Sequence, residues 1–152
     1  MIAIGVLAVA IPLVFAALAQ SANSAMTAEA ETRCASIIPA CLAEVRASRE
    51  GHSGYFAATS AGQSFPTKDE TWMLAFSKEG RHLGKLHKDD YDHGIRELDG
   101  EPIYYISAMS CTPDLASGSK ITSMMRVDIT LEFPASAPVK NRKIIFFHSC
   151  IP

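Results

Sequence analysis

The sequence predicts an α+β protein, in which one long N-terminal helix packs on an antiparallel sheet of four or five strands. Three observations carry that prediction. Residues 1–28 hold no charge, since the fourteen basic and sixteen acidic residues all lie at or after Glu29. Between Cys34 and Val45 the apolar residues recur at steps of three and four, the period of one helix face. From residue 71 onward short apolar runs with a period of two are bounded by Gly and Pro. The 152 residues suffice for one modest domain, 48% apolar and 20% charged, with a net charge of −2. That balance carries neither the basic excess of a nucleic-acid-binding protein nor the acidic excess of a disordered tail.

Within residues 1–19 every residue but Gly5 and Pro12 is apolar. As a helix this run would measure roughly 28 Å, close to the thickness of a bilayer's hydrocarbon core. Residues 1–28 are therefore expected to form an uncharged helical anchor that meets a membrane through residues 1–19. A cleavable signal peptide is the competing reading: Ala19-Gln20-Ser21-Ala22 and Ser24-Ala25 offer small-residue cleavage sites, but no Lys or Arg precedes the apolar run. The continuation at 29–50 favours a retained helix. There Cys34, Ile37, Ile38, Cys41, Leu42 and Val45 trace one face, and Arg33, Ser36, Glu44, Arg46 and Arg49 fall largely on the other. This amphipathic segment is expected to cover the sheet. Pro12 and Pro39 lie inside the helix and are expected to kink it, because each removes an amide donor.

Residues 51–70 read as a connecting loop rich in Gly, Ser and Ala, with a short extended piece at Tyr55–Ala57. Residues 71–152 read as the β head. Its strands are expected at Thr71–Ser77, at His82–His87 after the turn Lys78-Glu79-Gly80, at Ile103–Thr112, at Ile121–Phe133 and at Lys143–Cys150. In the fourth of these Val127, Ile129, Leu131 and Phe133 alternate with Arg126, Asp128, Thr130 and Glu132. That alternation predicts a sheet with one covered, apolar face and one charged, solvated face. The aromatic residues Trp72, Tyr104, Tyr105, Phe146 and Phe147 all fall in these strands, where sheet packing explains them.

Residues capable of chemistry are present but poorly spaced for it. His82, His87 and His93 lie near Asp89, Asp90 and Asp92, at spacings that match no common metal-binding helix. A calcium loop beginning at Asp90 fails at its fifth and sixth positions, which are Gly94 and Ile95. Gly51-His52-Ser53-Gly54 resembles a nucleophile elbow only superficially; it follows a helix and reads as a flexible helix exit. Of the four cysteines, Cys34 and Cys41 sit on the apolar helix face about 10 Å apart along the axis, too far for a disulfide. Cys111 and Cys150 lie in two predicted strands and are the candidate pair. No catalytic residue, metal, cofactor, small-molecule substrate or nucleic acid is expected.

An uncharged apolar helix, its amphipathic continuation and a C-terminal antiparallel sheet, in that order, resemble a type IV pilin or a type II secretion pseudopilin. Ala3–Phe15 is similar to the hydrophobic core of prepilin N-termini, including an interior proline at Pro12. Glu31-Thr32-Arg33 leading to Ile37–Leu42, together with Trp72–Gly84 and Val127–Pro138, is closer to the prepilin-like Verru_Chthon cassette proteins. The resemblance implies a non-enzymatic filament subunit that packs against other pilin-like subunits through its N-terminal helix. It also implies a single-pass inner-membrane protein with its head outside the cytoplasm. The basic leader and the Phe-x-x-x-Glu motif of prepilins do not occur in the sequence. Arg33, Arg46 and Arg49 follow the apolar run without a basic counterpart before it, so an upstream leader that corrects the charge bias is expected.

Overall fold

The computed structural model describes residues 2–59, 64–66, 72–113 and 124–151, with side chains from residue 11 onward. The chain divides into two compact units, Met1–Arg33 and Cys34–Pro152. Helix α1, Ile2–Arg49, runs unbroken through both prolines. Strands β1 (Met73–Phe76) and β2 (His82–Lys85) follow, then a short helix α2 (Lys88–His93) and a two-stranded ribbon, β3 (Glu97–Leu98) with β4 (Glu101–Pro102). The long strands β5 (Tyr105–Pro113), β6 (Met125–Phe133) and β7 (Lys143–Ile151) complete the order, with a 3-10 turn at Val139–Asn141. The fold class is α+β.

In the first unit the expected membrane anchor is corrected. Among the described residues no helix is long and apolar enough to cross a membrane, which overturns the single-pass inner-membrane placement. Among the described side chains the apolar character of the helix ends at Ala19. After it come Gln20, Ser21, Asn23, Ser24 and Thr27, which are uncharged but strongly hydrated. The Ser24 and Thr27 hydroxyls donate to the carbonyls of Gln20 and Asn23 at 3.0 Å, one turn back. The side chains of residues 1–10, the remainder of the expected membrane contact, lie outside the described residues.

In the second unit five described strands form one antiparallel sheet in the order β2-β1-β5-β6-β7. Register fixes two faces. Leu74, Ser107 and Leu131 share a row, with Tyr105, Met109, Cys111, Val127, Ile129 and Phe133 on the same face. The later part of α1 lies on that face: Ile37, Ile38, Cys41 and Val45 are buried, Cys34 and Leu42 half-buried, and the Cys41 thiol donates to Ser107 Oγ at 3.2 Å. Apolar steps of three and four thus meet an apolar period of two, and the core forms where the two patterns coincide.

The helix ends where its sequence permits a left-handed residue. Gly51 has φ +73°, the Gly51 amide donates to the Ser48 carbonyl at 3.1 Å, and the His52 amide to the Ala47 carbonyl at 2.8 Å. These two bonds cap the last turn. Ser53 then donates to Glu44 Oε2 at 3.0 Å and accepts from the amides of Tyr55 and Phe56. The expected flexible exit is instead a hydrogen-bonded cap, and Tyr55–Ala57 is bent rather than extended.

The expectation of one solvated sheet face is also corrected. On the face opposite the helix, Met73, Ala75 and Ile106 are buried with Leu86, Ile103 and Ala135, and Leu83, Tyr91, Ile95 and Leu98 pack against them. The cover comes from the chain between β2 and β5 and from the segment after β6. Asp99 and Gly100, both with positive φ, make the tight turn between β3 and β4. Strand limits otherwise differ from expectation by a few residues. Thr71 and residues 121–123 of the expected strands, and much of 60–70, lie outside the described residues.

Cys111 and Cys150 are not bonded; both are free thiols. Cys111 pairs across to Val127, which pairs to Ser149, while Cys150 pairs to Arg126. Strands β5 and β7 flank β6, so the two cysteines stand two strand spacings apart, about 10 Å, and on opposite faces. A disulfide needs Cα atoms within about 7 Å.

Replacing Ile38 with Asp places an unpaired charge between helix and sheet and should destabilise the second unit by more than about 3 kcal/mol. Urea denaturation of Ile38→Asp beside Ile38→Val checks it. The valine variant should lose only about 1 kcal/mol.

Candidate functional site

Glu132 is the last charged residue of β6, and its side chain points to the face opposite α1, in register with Ile106 and Ile144. The side chain is 6% exposed, and its partner Arg142 is fully buried. Arg142 Nη1 donates to Glu132 Oε2 at 3.0 Å, Nε to the Ala137 carbonyl at 2.9 Å, and Nη2 to the Tyr91 carbonyl at 2.6 Å. Its guanidinium lies 4.7 Å from the centre of the Tyr91 ring. Tyr91 closes the network, donating its hydroxyl to Glu132 Oε1 at 2.6 Å. Three segments distant in sequence meet here: α2, the end of β6 and the turn before β7.

The electrostatics of this cluster are those of a clamp. Burial, followed by the hydrogen bond to and the charge of Glu132, pushes the Tyr91 phenol up to about 12. The proton therefore stays on Tyr91, and each carboxylate oxygen of Glu132 accepts from a donor. Both charges are bonded to the protein on several sides, which offsets the cost of removing them from water.

Next to Tyr91, an apolar cleft of about 220 Å³ is lined by Pro66, Trp72, Met73, Ala108 and Met109, with exposed Lys88 and Asp92 of α2 at its edge. Ligand pockets commonly hold roughly 300–1,000 Å³. The cleft is smaller, and its charged groups are two surface side chains on one turn of helix.

The histidines and cysteines do not converge. His82 on β2 packs between the rings of Tyr55 and Phe76, at 4.9 and 5.3 Å, and burial pushes its pKa down. His87 precedes α2, and His93 Nδ1 lies 3.1 Å from the Asp89 carbonyl within that helix. Among the described residues no group of three or more His, Cys, Asp or Glu side chains could hold a metal ion. Burial pushes the Cys41 thiol up to about 11 and the Cys111 thiol up to about 12, so both remain protonated and poorly nucleophilic. His52 Nδ1 lies 3.9 Å from Glu50, while the Ser53 hydroxyl is engaged by Glu44, so the Gly51–Gly54 segment holds no Ser–His pair.

Of the six residues expected to pack helix on sheet, Ile37, Ile38, Cys41 and Val45 are buried and Cys34 and Leu42 half-buried, and the thiols of the candidate disulfide pair are free. Sequence reasoning missed Tyr91, Glu132 and Arg142. Glu132 read as one more polar member of an alternating strand, and nothing near Arg142 signals burial. The Asp99-Gly100 dipeptide was an available signal, since that pair favours the tight turn of a two-stranded ribbon. The chain matches no protein family, no curated protein and no solved structure.

Removing one member of a buried ion pair strands the other charge. Arg142→Met should therefore cost about 3–5 kcal/mol in urea denaturation, and adding Glu132→Leu should restore most of it. Tyr91 gives a pH signature of its own. A phenol with a raised pKa is held protonated by the folded chain, so its contribution to stability is complete below pH 10 and is lost as pH rises toward about 12. Thermal unfolding between those limits should fall more steeply for the wild-type chain than for Tyr91→Phe.

Proposed function

We propose that the protein is a non-enzymatic structural subunit, pilin- or pseudopilin-like, that assembles with further subunits through its N-terminal helix. One observation carries the reading. Ile11, Val14, Phe15 and Leu18 are 49% to 67% exposed. At 3.6 residues per turn these four fall within an arc of about 100°, while Leu13, 64% exposed, lies on the other side of the helix. A contiguous apolar stripe of this kind, left uncovered, marks an interaction surface. Spacings of three and four suit a second helix with the same spacing, since side chains of one can enter the grooves of the other.

The chemistry of the second unit supports the same reading. Its buried charges are engaged in holding segments together, and its buried thiols are protonated. An assembling subunit needs a stable head and a sticky helix, and the composition of each segment suits that division. The lack of charge before Glu29 also suits close helix packing, where an unpaired charge would be costly.

Sedimentation of the purified full-length chain over a hundredfold concentration range tests the proposal. The wild-type chain should form concentration-dependent oligomers. Phe15→Glu combined with Leu18→Glu should remove every species larger than a dimer while leaving the thermal transition of the second unit unchanged. A wild-type chain that stays monomeric throughout would defeat the reading.

A further inference from the structure

The sheet has two edges, and they are built differently. Strand β2 is four residues long, carries Lys85, and pairs to β1 with a register shift between Ala75 and Phe76. Short length, charge and irregularity are the usual protections of an edge. Strand β7 is neither short nor irregular, and its one charge is Lys143 at its first residue. It is nine residues long and in continuous register with β6 from Lys143 to Ile151. Between Ile144 and Cys150 it contains no Lys, Arg, Asp, Glu or Pro. Among the described residues no strand pairs with its outer edge, and Phe146, Ile144 and Phe147 are 76%, 47% and 39% exposed.

We propose that β7 is an interface for a second copy of this chain, paired edge to edge and antiparallel about a twofold axis at Phe147, the middle residue of the strand. Residue i then faces residue 294 − i, because twice 147 is 294. Phe147 meets the partner's Phe147, Phe146 meets the partner's His148, and Ile144 meets the partner's Cys150. Each exposed apolar side chain gains an uncharged neighbour on its own face, the unit from which sheets draw stability.

Charge selects this arrangement over a parallel one. A parallel pairing in register would set Lys143 beside the partner's Lys143. The antiparallel pairing places Lys143 opposite the partner's Ile151, and the two ammonium groups stand at opposite ends of the ribbon, about 27 Å apart. From Ile144 to Cys150 the strand offers an unlike partner no charged side chain to recognise, whereas under twofold symmetry its exposed apolar residues meet uncharged residue types of the same strand.

Area sets the strength. With roughly 150–250 Å² for a large apolar side chain, the three exposed residues offer about 300 Å² per copy. The pair then buries about 600 Å² of side chain plus the main-chain edges, below the roughly 1,200 Å² of a stable complex. The dimer is accordingly weak and dissociates on dilution.

The test uses the full-length chain carrying Phe15→Glu, Leu18→Glu and Cys150→Ser, so that neither helix association nor the native exposed edge thiol contributes. Phe147→Cys in this background should yield a disulfide-linked dimer under mild oxidation, because directly opposed residues of an antiparallel pair lie about 4.5–5.5 Å apart at Cα. Lys143→Cys, with its two thiols at opposite ends, should not. Phe146→Lys, at the most exposed position, should lower dimer content in sedimentation at high concentration by at least tenfold with an unchanged melting transition. Equal cross-linking of the two cysteine variants, or sedimentation indifferent to Phe146→Lys, would overturn the proposal.

Discussion

A carboxylate on the covered face of a sheet requires a partner that reaches it without water, and Glu132 has one in Arg142. Much of the arrangement opposite α1 follows from that requirement. Arg142 is buried beside β6, so the turn from Pro134 to Asn141 must fold back over the sheet before β7 begins. The guanidinium takes two main-chain carbonyls as well, and one belongs to Tyr91, which ties α2 to the same point. The ribbon between α2 and β5 is then held from both sides by short connections. The Ile95 amide donates to the Ala135 carbonyl at 3.1 Å, and the Ala135 amide to the Tyr104 carbonyl at 2.9 Å, so main-chain bonds reinforce the clamp.

The two faces of the sheet are covered by different physical means. Against α1 the contact is almost wholly apolar, with one thiol–hydroxyl bond at Cys41 and Ser107. Hydrophobic burial of this kind is strong but tolerant of sliding, since it has no preferred direction. The opposite face combines a smaller apolar cluster with directed hydrogen bonds that admit one geometry. The central strands β5 and β6 sit between these covers, and Tyr105, Ile106, Val127, Leu131 and Phe133 on them are fully buried. Neither cover extends over the middle of β7, which is why that strand carries exposed aromatic side chains.

How much of this is legible in sequence depends on whether a feature is local. The amphipathic face from Cys34 to Val45 and the alternation from Val127 to Phe133 are local, and helix and strand occur there. Glu132 reads as solvated because alternation distinguishes two faces but does not say whether a second cover exists. Its partner is ten residues away across a turn, and Tyr91 is further still. Cys111 and Cys150 were paired in expectation because both lie in strands; only the strand order, with β6 between them, separates them. The membrane expectation rested on the apolar run of residues 1–19. Among the described residues no helix is long and apolar enough to cross a membrane, and the serines, asparagine and glutamine after Ala19 each retain the demand for water that a hydrocarbon core refuses.

Three of the four thiols divide by access in a way that makes the chain its own reporter; the fourth, Cys34, is half-buried. Cys150 lies exposed on the outer strand, while Cys41 and Cys111 are buried beneath the helix and held protonated. A thiol-reactive dye added to the folded chain would label the sheet's edge and leave those two thiols dark until α1 lifts from the sheet. The rate at which the buried pair becomes reactive therefore measures how often the helix and sheet part company, without any mutation to introduce a probe.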